Sequence, residues 1–395
     1  MGIRLVILDA DMTLWNHPDI SSLTLPFKKL DKNSLIDAKG EILKLFDGIR
    51  DLLKELKKKN LITSLATWNN PKHIHEAIQL REIDKLFDFI SVENTPDKHL
   101  LMSRILDGLS KRGVQLEPYE ILYIDDQPRH LKDVYNKVGR VIFLQMWEDV
   151  KEPSEILIYI DNLRKIMRRE GLKAVLFDLD FTLIDSLRVI VASLKYVLDL
   201  HGYSFQNGEI AKLAGKAPLE EQIRALIPSL SDEEIDEYVN LYRQHYLTIH
   251  IENTKLYPHV KEILQNLRSL GFKLGIVTGK YEKPALEVLD HFQLTSLLNV
   301  IVSTYDVKNH KPAPDGIFEA ARRLGVKATE CIFIGDSLAD VKAGKRAGCF
   351  TIALLRNRES RRQLEEAESD MILNELKGVN RIASSYKITT TSHKS

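Results

Sequence analysis

Leu5-Val6-Ile7-Leu8-Asp9-Ala10-Asp11-Met12-Thr13-Leu14 and Ala174-Val175-Leu176-Phe177-Asp178-Leu179-Asp180-Phe181-Thr182-Leu183 are the two stretches that decide how this chain folds. Each is a short apolar run that stops at an aspartate and continues as D-x-D-x-T-L. Such a run, bounded by turn-forming residues, reads as a strand buried on both faces, with its carboxylates just beyond the carboxyl end. The same stations then follow in the same order: Thr67, Lys98 and Asp125-Asp126 after the first, Thr278, Lys311 and Asp336 with Asp340 after the second. Thr67 and Asp125 lie 58 residues apart, and so do Thr278 and Asp336; the Thr-to-Lys intervals are 31 and 33. Four stations in the same order, the last three at nearly equal spacing, indicate two homologous catalytic modules in one chain.

Outward from these stations, short Val/Ile/Leu runs alternate with amphipathic helical stretches. In the first half the runs are Leu5–Leu8, Leu61–Ala66, Phe89–Val92, Ile121–Ile124 and Val141–Leu144. In the second they are Ala174–Phe177, Leu274–Val277, Val300–Ser303, Ile332–Ile334 and Thr351–Leu355. Helices such as Gly48–Lys58 and His259–Leu270 between them predict right-handed crossovers, hence an α/β protein of two doubly wound, Rossmann-like parallel sheets. Ligands of such sheets sit beyond the carboxyl ends of the strands, where every station falls. The halves differ after their first station. The second has a longer interval, in which Ser186–Leu200, Pro218–Leu226 and Asp232–Ile249 read as helices and Ser231 with Glu234 forms a capping box. This predicts an inserted helical cap over residues 186–257. The first module has only the Trp15–Lys44 insertion, whose Asp37-Ala38-Lys39-Gly40 reads as a hairpin turn. The expected organisation is a module at 1–150, a linking helix within 151–171, a capped module at 172–380 and a disordered tail at 381–395.

Composition narrows the function. At 395 residues two ordinary domains are expected rather than one core. Lys+Arg and Asp+Glu both number 56, so no bulk charge favours nucleic acid or anionic lipid. No apolar run approaches the ~18 residues of a membrane span. The first strand starts too near the N-terminus to leave room for a signal peptide. Two cysteines, Cys331 and Cys349, are too few for a disulfide framework. The expectation is a cytoplasmic protein acting on small molecules, with no nucleic-acid or membrane partner; the oligomeric state is left open.

Two carboxylates two residues apart at a strand end can do different work once the chain turns. The first can be a nucleophile that forms an aspartyl-phosphate, splitting one difficult hydrolysis into two steps. The second can protonate the leaving oxygen and then activate water. Acidic residues on a further strand complete an all-oxygen site suited to Mg²⁺. Thr67 or Thr278 can donate to a phosphoryl oxygen, and Lys98 or Lys311 places positive charge where the transferring group gains negative charge.

These residues resemble the haloacid-dehalogenase-like superfamily, over nearly the whole chain. From Leu172 to about Val379 the motifs DLDFTLIDS, IVTGK, KPAPD and IGDSLADVKAGKRAG are similar to phosphoglycolate-phosphatase-like hydrolases with a helical cap. Phe181 departs from the commoner glycine between the second Asp and the Thr. The first module, with DADMTLW, SLATWNNP, PDKHL and YIDDQPRHLKDV, resembles the magnesium-dependent phosphatase family, including its adjacent acid pair Asp125-Asp126. The resemblance implies HAD-type domains with Asp9 and Asp178 as nucleophiles and Asp11 and Asp180 as acid/bases. It further implies Thr67, Lys98, Thr278 and Lys311 as phosphate-binding residues. For Mg²⁺ it implies Asp9, Asp11, Asp125, Asp126, Asp178, Asp180, Asp336 and Asp340. Trp68, where a polar or basic residue is common, and Lys216, in the cap's specificity loop, are the candidates for substrate selection.

Simpler readings stand beside these. A single D-x-D is more often a turn or a cap, and Lys98 alone would be a surface lysine; only the ordered set promotes them. Cys331 reads as a small buried hydrophobe. The histidines His73, His75, His99 and His130 show no metal-ligand spacing. Dehalogenase chemistry would not require Asp180 with Asp336. A phosphoglucomutase-like phosphotransferase shares every core residue, and one module could be regulatory rather than catalytic. Small phosphate esters are expected at the capped site and bulkier ones at the first.

Overall fold

The computed structural model describes residues 2–214, 219–356 and 359–391, which form two compact units, one of residues 2–168 with 384–391 and the other of Arg169–Ala383. In unit 1 the strands are β1 (Leu5–Leu8), β2 (Ile62–Trp68), β3 (Phe89–Glu93), β4 (Ile121–Asp125) and β5 (Ile142–Gln145). They form one parallel sheet in the order β3-β2-β1-β4-β5. In unit 2, β6 (Ala174–Phe177), β7 (Lys273–Val277), β8 (Val300–Val302), β9 (Cys331–Gly335), β10 (Phe350–Leu354) and β11 (Met371–Leu373) follow the same plan, β8-β7-β6-β9-β10-β11. Strand β11 is absent from the sequence reading because three residues after Ser369-Asp370 carry too little periodicity to register.

Apolar runs become the sheet because helices cover both faces. All four residues of β1 and all four of β6 are buried. In unit 1 the helices include α1 (Ile49–Lys58), α2 (Pro71–Leu80), α3 (Lys98–Lys111) and α4 (Ser154–Met167). Leu101, Met102 and Ile105 of α3 pack with Leu5, Ile7 and Tyr123. Helix α4, expected as a link, packs on α1 and belongs to unit 1. The central strand of each sheet is where the chain order reverses, and the crevice this opens lies beyond its carboxyl end.

The Trp15–Lys44 insertion contains the expected hairpin, Ser34–Ile36 with Ile42–Lys44, plus a third antiparallel strand, Lys28–Lys29. Asp37 Oδ1 closes its turn by accepting from Lys39 N and Glu41 N at 2.8 Å each, and Gly40 takes φ 95° there. Arg81, at the end of α2 and fully buried, donates to Leu43 O at 2.5 Å and Asn33 O at 3.3 Å, tying the insertion to the sheet's flank. Burial pushes its guanidinium down to about 9.

Unit 2 carries the cap. Among the described residues it has four helices, one more than expected: α5 (Leu187–Leu200), α6 (Asn207–Leu213), α7 (Leu219–Leu226) and α8 (Asp232–Ile249). The missed helix α6 is only seven residues long and is started by Gln206, an unusual cap residue. The Ser231–Glu234 capping box starts α8, with Glu234 N donating to Ser231 Oγ at 3.2 Å and Ser231 N donating to Glu234 Oε2 at 2.8 Å. Val189, Leu194, Ile210, Ile223, Ile235 and Tyr238 form the cap's own core.

The expected disorder from residue 381 onward is corrected over residues 381–391; residues 392–395 lie outside the described residues. The chain is helical over Lys377–Thr391, with Ile382, Ala383, Ser385 and Tyr386 buried. A Ser/Thr-rich composition suggested a solvated tail, but Ile382 and Tyr386 are four residues apart and share one helical face. No helix among the described residues is long and apolar enough to cross a membrane.

Candidate active site

Each site is built at the end of a central strand. Asp9 N donates to Ile124 O at 2.9 Å and Asp178 N to Ile334 O at 2.8 Å, so each D-x-D leaves its sheet at the same point of the ladder. The chain then turns sharply, and the residue after the second Asp takes a left-handed conformation: Met12 at φ 51°, Phe181 at φ 62°. That conformation explains why glycine is the commoner residue there, since a side chain costs roughly 1–2 kcal/mol in it. Phe181 offsets the strain by burying its ring in the cap cluster, where it also lines the cavity over Asp178. Phe181→Gly is therefore expected to destabilise unit 2 by about 2 kcal/mol, because ~3–5 kcal/mol of lost packing exceeds the relieved strain. Met12→Gly, at a half-buried position, should stay within about 1 kcal/mol of the parent. Calorimetric melting checks both, and a stabilised Phe181→Gly would refute the packing role.

The lysines share their partners in the first Asp of D-x-D and a carbonyl, and differ in their second acid, Asp125 for Lys98 and Asp340 for Lys311. Lys98 Nζ pairs with Asp9 Oδ1, donates to Ala66 O at 3.1 Å and lies 3.3 Å from Asp125 Oδ2. Lys311 Nζ donates to Asp178 Oδ1 at 2.5 Å, Val277 O at 3.2 Å and Asp340 Oδ1 at 2.6 Å. Both are anchored on the carbonyl just before the station threonine. Thr67 and Thr278 are buried beside them. Burial works against both ammonium groups, but the flanking aspartates outweigh it and hold both lysines above their ordinary range.

Three acids converge at each site. One carboxylate oxygen from each of Asp9, Asp125 and Asp126, and from each of Asp178, Asp336 and Asp340, lies within 4.8 Å of the others. Gly335 makes room for this, since a Cβ there would come within 2.4 Å of Asp340. Asp340 is fixed by Ser337, whose Oγ donates to its Oδ2 at 2.6 Å. Burial, with Asp125 or Asp340 as a like-charged neighbour, pushes Asp9 and Asp178 up to about 7 despite their lysines. So much buried negative charge against one lysine is a donor set that fits a hard divalent cation.

Asp11 and Asp180, expected among the metal ligands, have side chains outside both clusters. Asp11 accepts from Trp15 Nε1 at 2.7 Å and Asn69 Nδ2 at 3.0 Å, and burial raises it. Asp180 instead pairs with Lys280 Nζ at 3.1 Å. Asn69 and Lys280 occupy the same place, two residues after the station threonine, so the modules solve one position with an amide and an ammonium. Sequence reading passed over both, although the shared offset was visible. Lys280 also donates to Tyr246 OH at 2.5 Å, which brings cap helix α8 against the core. No linear motif announces Tyr246.

Trp68 is 39% exposed, with the Arg129 guanidinium 5.9 Å from its ring and His130 edge-on at 6.4 Å. Lys216 lies outside the described residues. Both cysteines are buried thiols, Cys331 pushed up to about 12 by burial.

Residues 175–354 match the haloacid dehalogenase-like hydrolase model, and residues 3–139 match the acid phosphatase model. A phosphoglycolate phosphatase from Aquifex aeolicus is 34% identical over 186 residues, covering 47% of this chain and 85% of the relative. The chain belongs to the haloacid dehalogenase-like hydrolases. Pyrophosphatase PpaX from Halalkalibacterium halodurans is also 34% identical, over 46% of this hydrolase and 82% of its own length. A solved structure from Bacteroides fragilis, described as haloacid dehalogenase-like, aligns with TM-score 0.50 and 28% identity, covering 52% of this chain and 99% of that one.

Proposed function

We propose that both units of this phosphatase-like hydrolase cleave phosphomonoesters through aspartyl-phosphate intermediates. The observation that carries this is the doubled Asp–Lys pairing, Asp9 with Lys98 and Asp178 with Lys311, anchored on equivalent carbonyls in two independently packed sheets. In unit 2, Asp178 Oδ attacks phosphorus while the bond to the leaving oxygen breaks, and Asp180 passes its proton to that oxygen. Asp180 then takes a proton from water as the water oxygen attacks phosphorus. The phosphorus–Oδ bond breaks, phosphate departs, and both carboxyl groups return to their starting state. Lys311 and Thr278 bind the phosphoryl oxygens. Asp9, Asp11, Lys98 and Thr67 take the same parts in unit 1.

Asp178, Asp336 and Asp340 would hold Mg²⁺ in unit 2, and Asp9, Asp125 and Asp126 in unit 1; when bound, the ion supplies positive charge against the phosphoryl group. The cap and its cavity favour a small phosphometabolite at the second site, as the names of the phosphoglycolate phosphatase and pyrophosphatase relatives suggest. The first site, which has only the Trp15–Lys44 insertion and the exposed Trp68, suits bulkier phosphoesters. Its setting is read as cytoplasmic, and its partners as small phosphoesters.

Incubating the full chain with Mg²⁺ and phosphoglycolate, pyrophosphate or hexose phosphates tests the reading. Stoichiometric inorganic phosphate is expected. Phosphate retained on an isomerised sugar would replace hydrolysis by phosphotransfer.

A further inference from the structure

The cavity over Asp178 has a volume of about 1070 Å³ and contains more cationic side chains than the phosphoryl chemistry uses. Lys311 is committed to Asp178 and Asp340, and Lys280 to Asp180 and Tyr246. Lys283 and Lys342 are exposed on the rim. Arg243 remains. It lies on cap helix α8, one turn before Tyr246, so both side chains leave the same face of the helix. Its Nε is buried without a hydrogen-bond partner. The acid that pairs with it, Glu220, is 3.8 Å away, too far for a hydrogen bond. The guanidinium lies over the Tyr281 ring at 4.8 Å, and Tyr305 supports that ring at 4.9 Å.

This arrangement suits anion recognition. A guanidinium held over an aromatic face is pre-organised, so less freedom is lost when its planar fork meets a carboxylate or phosphate. It also lies on the side of the cavity that a leaving group would occupy. Tyr246 touches Lys280, Lys280 touches Asp180, and Asp180 is the group assigned to protonate the leaving oxygen.

We propose that Arg243 determines specificity at the second site by binding a second anionic group, a carboxylate or a further phosphate, carried on the leaving-group side of the substrate. This rests on the reading that Asp178 and Asp180 act on a phosphoryl group. The site would then take compact phosphoesters or anhydrides with two separated negative groups, and select against esters of uncharged alcohols. Glu220 gives up its long contact when the substrate arrives.

The test is a binding measurement, so that it does not depend on turnover. The full chain carrying Asp178→Asn is titrated calorimetrically, with Mg²⁺ present, with phosphoglycolate, pyrophosphate and methyl phosphate. The third compound has a phosphoryl group but no second anion. With Arg243 intact, at least one of the two ligands that carry a second anionic group should bind about ten- to hundredfold more tightly than methyl phosphate, and the stronger of the two identifies the group recognised. Arg243→Ala should remove that margin and leave methyl phosphate affinity unchanged, while Arg243→Lys should keep part of it. Equal affinities for all three ligands with Arg243 intact would overturn the proposal. So would an equal loss for every ligand in Arg243→Ala, which marks a structural role, or no loss at all. Failure of hydrolysis in the chain with Asp178 would instead refute the catalytic reading and leave this binding result to stand by itself.

Discussion

Phosphoglycolate hydrolysis by the full chain is expected to fall by roughly 10⁴-fold or more in Asp178→Asn, with the chain still folded. The carboxamide has the shape of the carboxylate but is a poor nucleophile. Lys311 keeps Asp340 at 2.6 Å, so its buried ammonium is not left without a charge partner. The same change at Asp9 should leave this activity intact and silence only the substrates of the first site. Lys98 there retains Asp125 at 3.3 Å. Steady-state assays on the two single variants and the double variant check this. If Asp9→Asn and Asp178→Asn each lower every activity in proportion, the two sites do not turn over independently, and the doubled mechanism is wrong.

Metal should change both activity and stability, with a defined dependence on pH. Excess chelator is expected to abolish turnover at both sites, since carboxylate and phosphate otherwise repel each other. The stability effect follows from Asp9 and Asp178, which burial raises from 3.8 to about 7. A carboxyl with a raised pKa makes the folded state the better proton binder between about pH 4 and 7. Its contribution is therefore fully present below the unfolded pKa and is lost as pH rises through about 7. Metal-free protein should thus lose melting temperature over that window relative to the Asp9→Asn/Asp178→Asn variant, which has no such groups. Added Mg²⁺ competes with those protons, so its stabilisation should grow from pH 5 to pH 8 and reach about 2.7 kcal/mol at a hundred times its dissociation constant. Scanning calorimetry at several pH values measures it. A Mg²⁺ shift that is absent, or that does not vary with pH, would show that these carboxylates are not the ligands.

What could be read directly from the chain was whatever depends on order and period. Runs such as Ile121–Ile124 and Ile332–Ile334 are apolar without interruption because their strands are buried on both faces. The stations fall at strand ends because a parallel sheet presents only those ends to a ligand. The Ser231–Glu234 box and the Asp37–Gly40 turn were legible because their hydrogen bonds span three or four residues. Local rules failed where stability comes from distant partners, as in the helix at Lys377–Thr391, whose part from residue 381 onward composition suggested was disordered and which buries Ile382 and Tyr386.

The division within the sites follows the same logic. Asp9 and Asp178 were identifiable because the D-x-D-x-T-L motif recurs, and Lys98 and Lys311 because their spacing from the station threonine nearly repeats between the modules. Only the tertiary structure determined where each side chain points. It turned Asp11 toward Trp15 and Asn69, paired Asp180 with Lys280, and joined Lys280 to Tyr246 across 34 residues. It also left Arg243 in the cavity with an unsatisfied Nε. A buried charge takes whichever partner folding brings within about 3 Å, and that partner's position along the chain is set by the packing of the cap on the core, which no motif encodes.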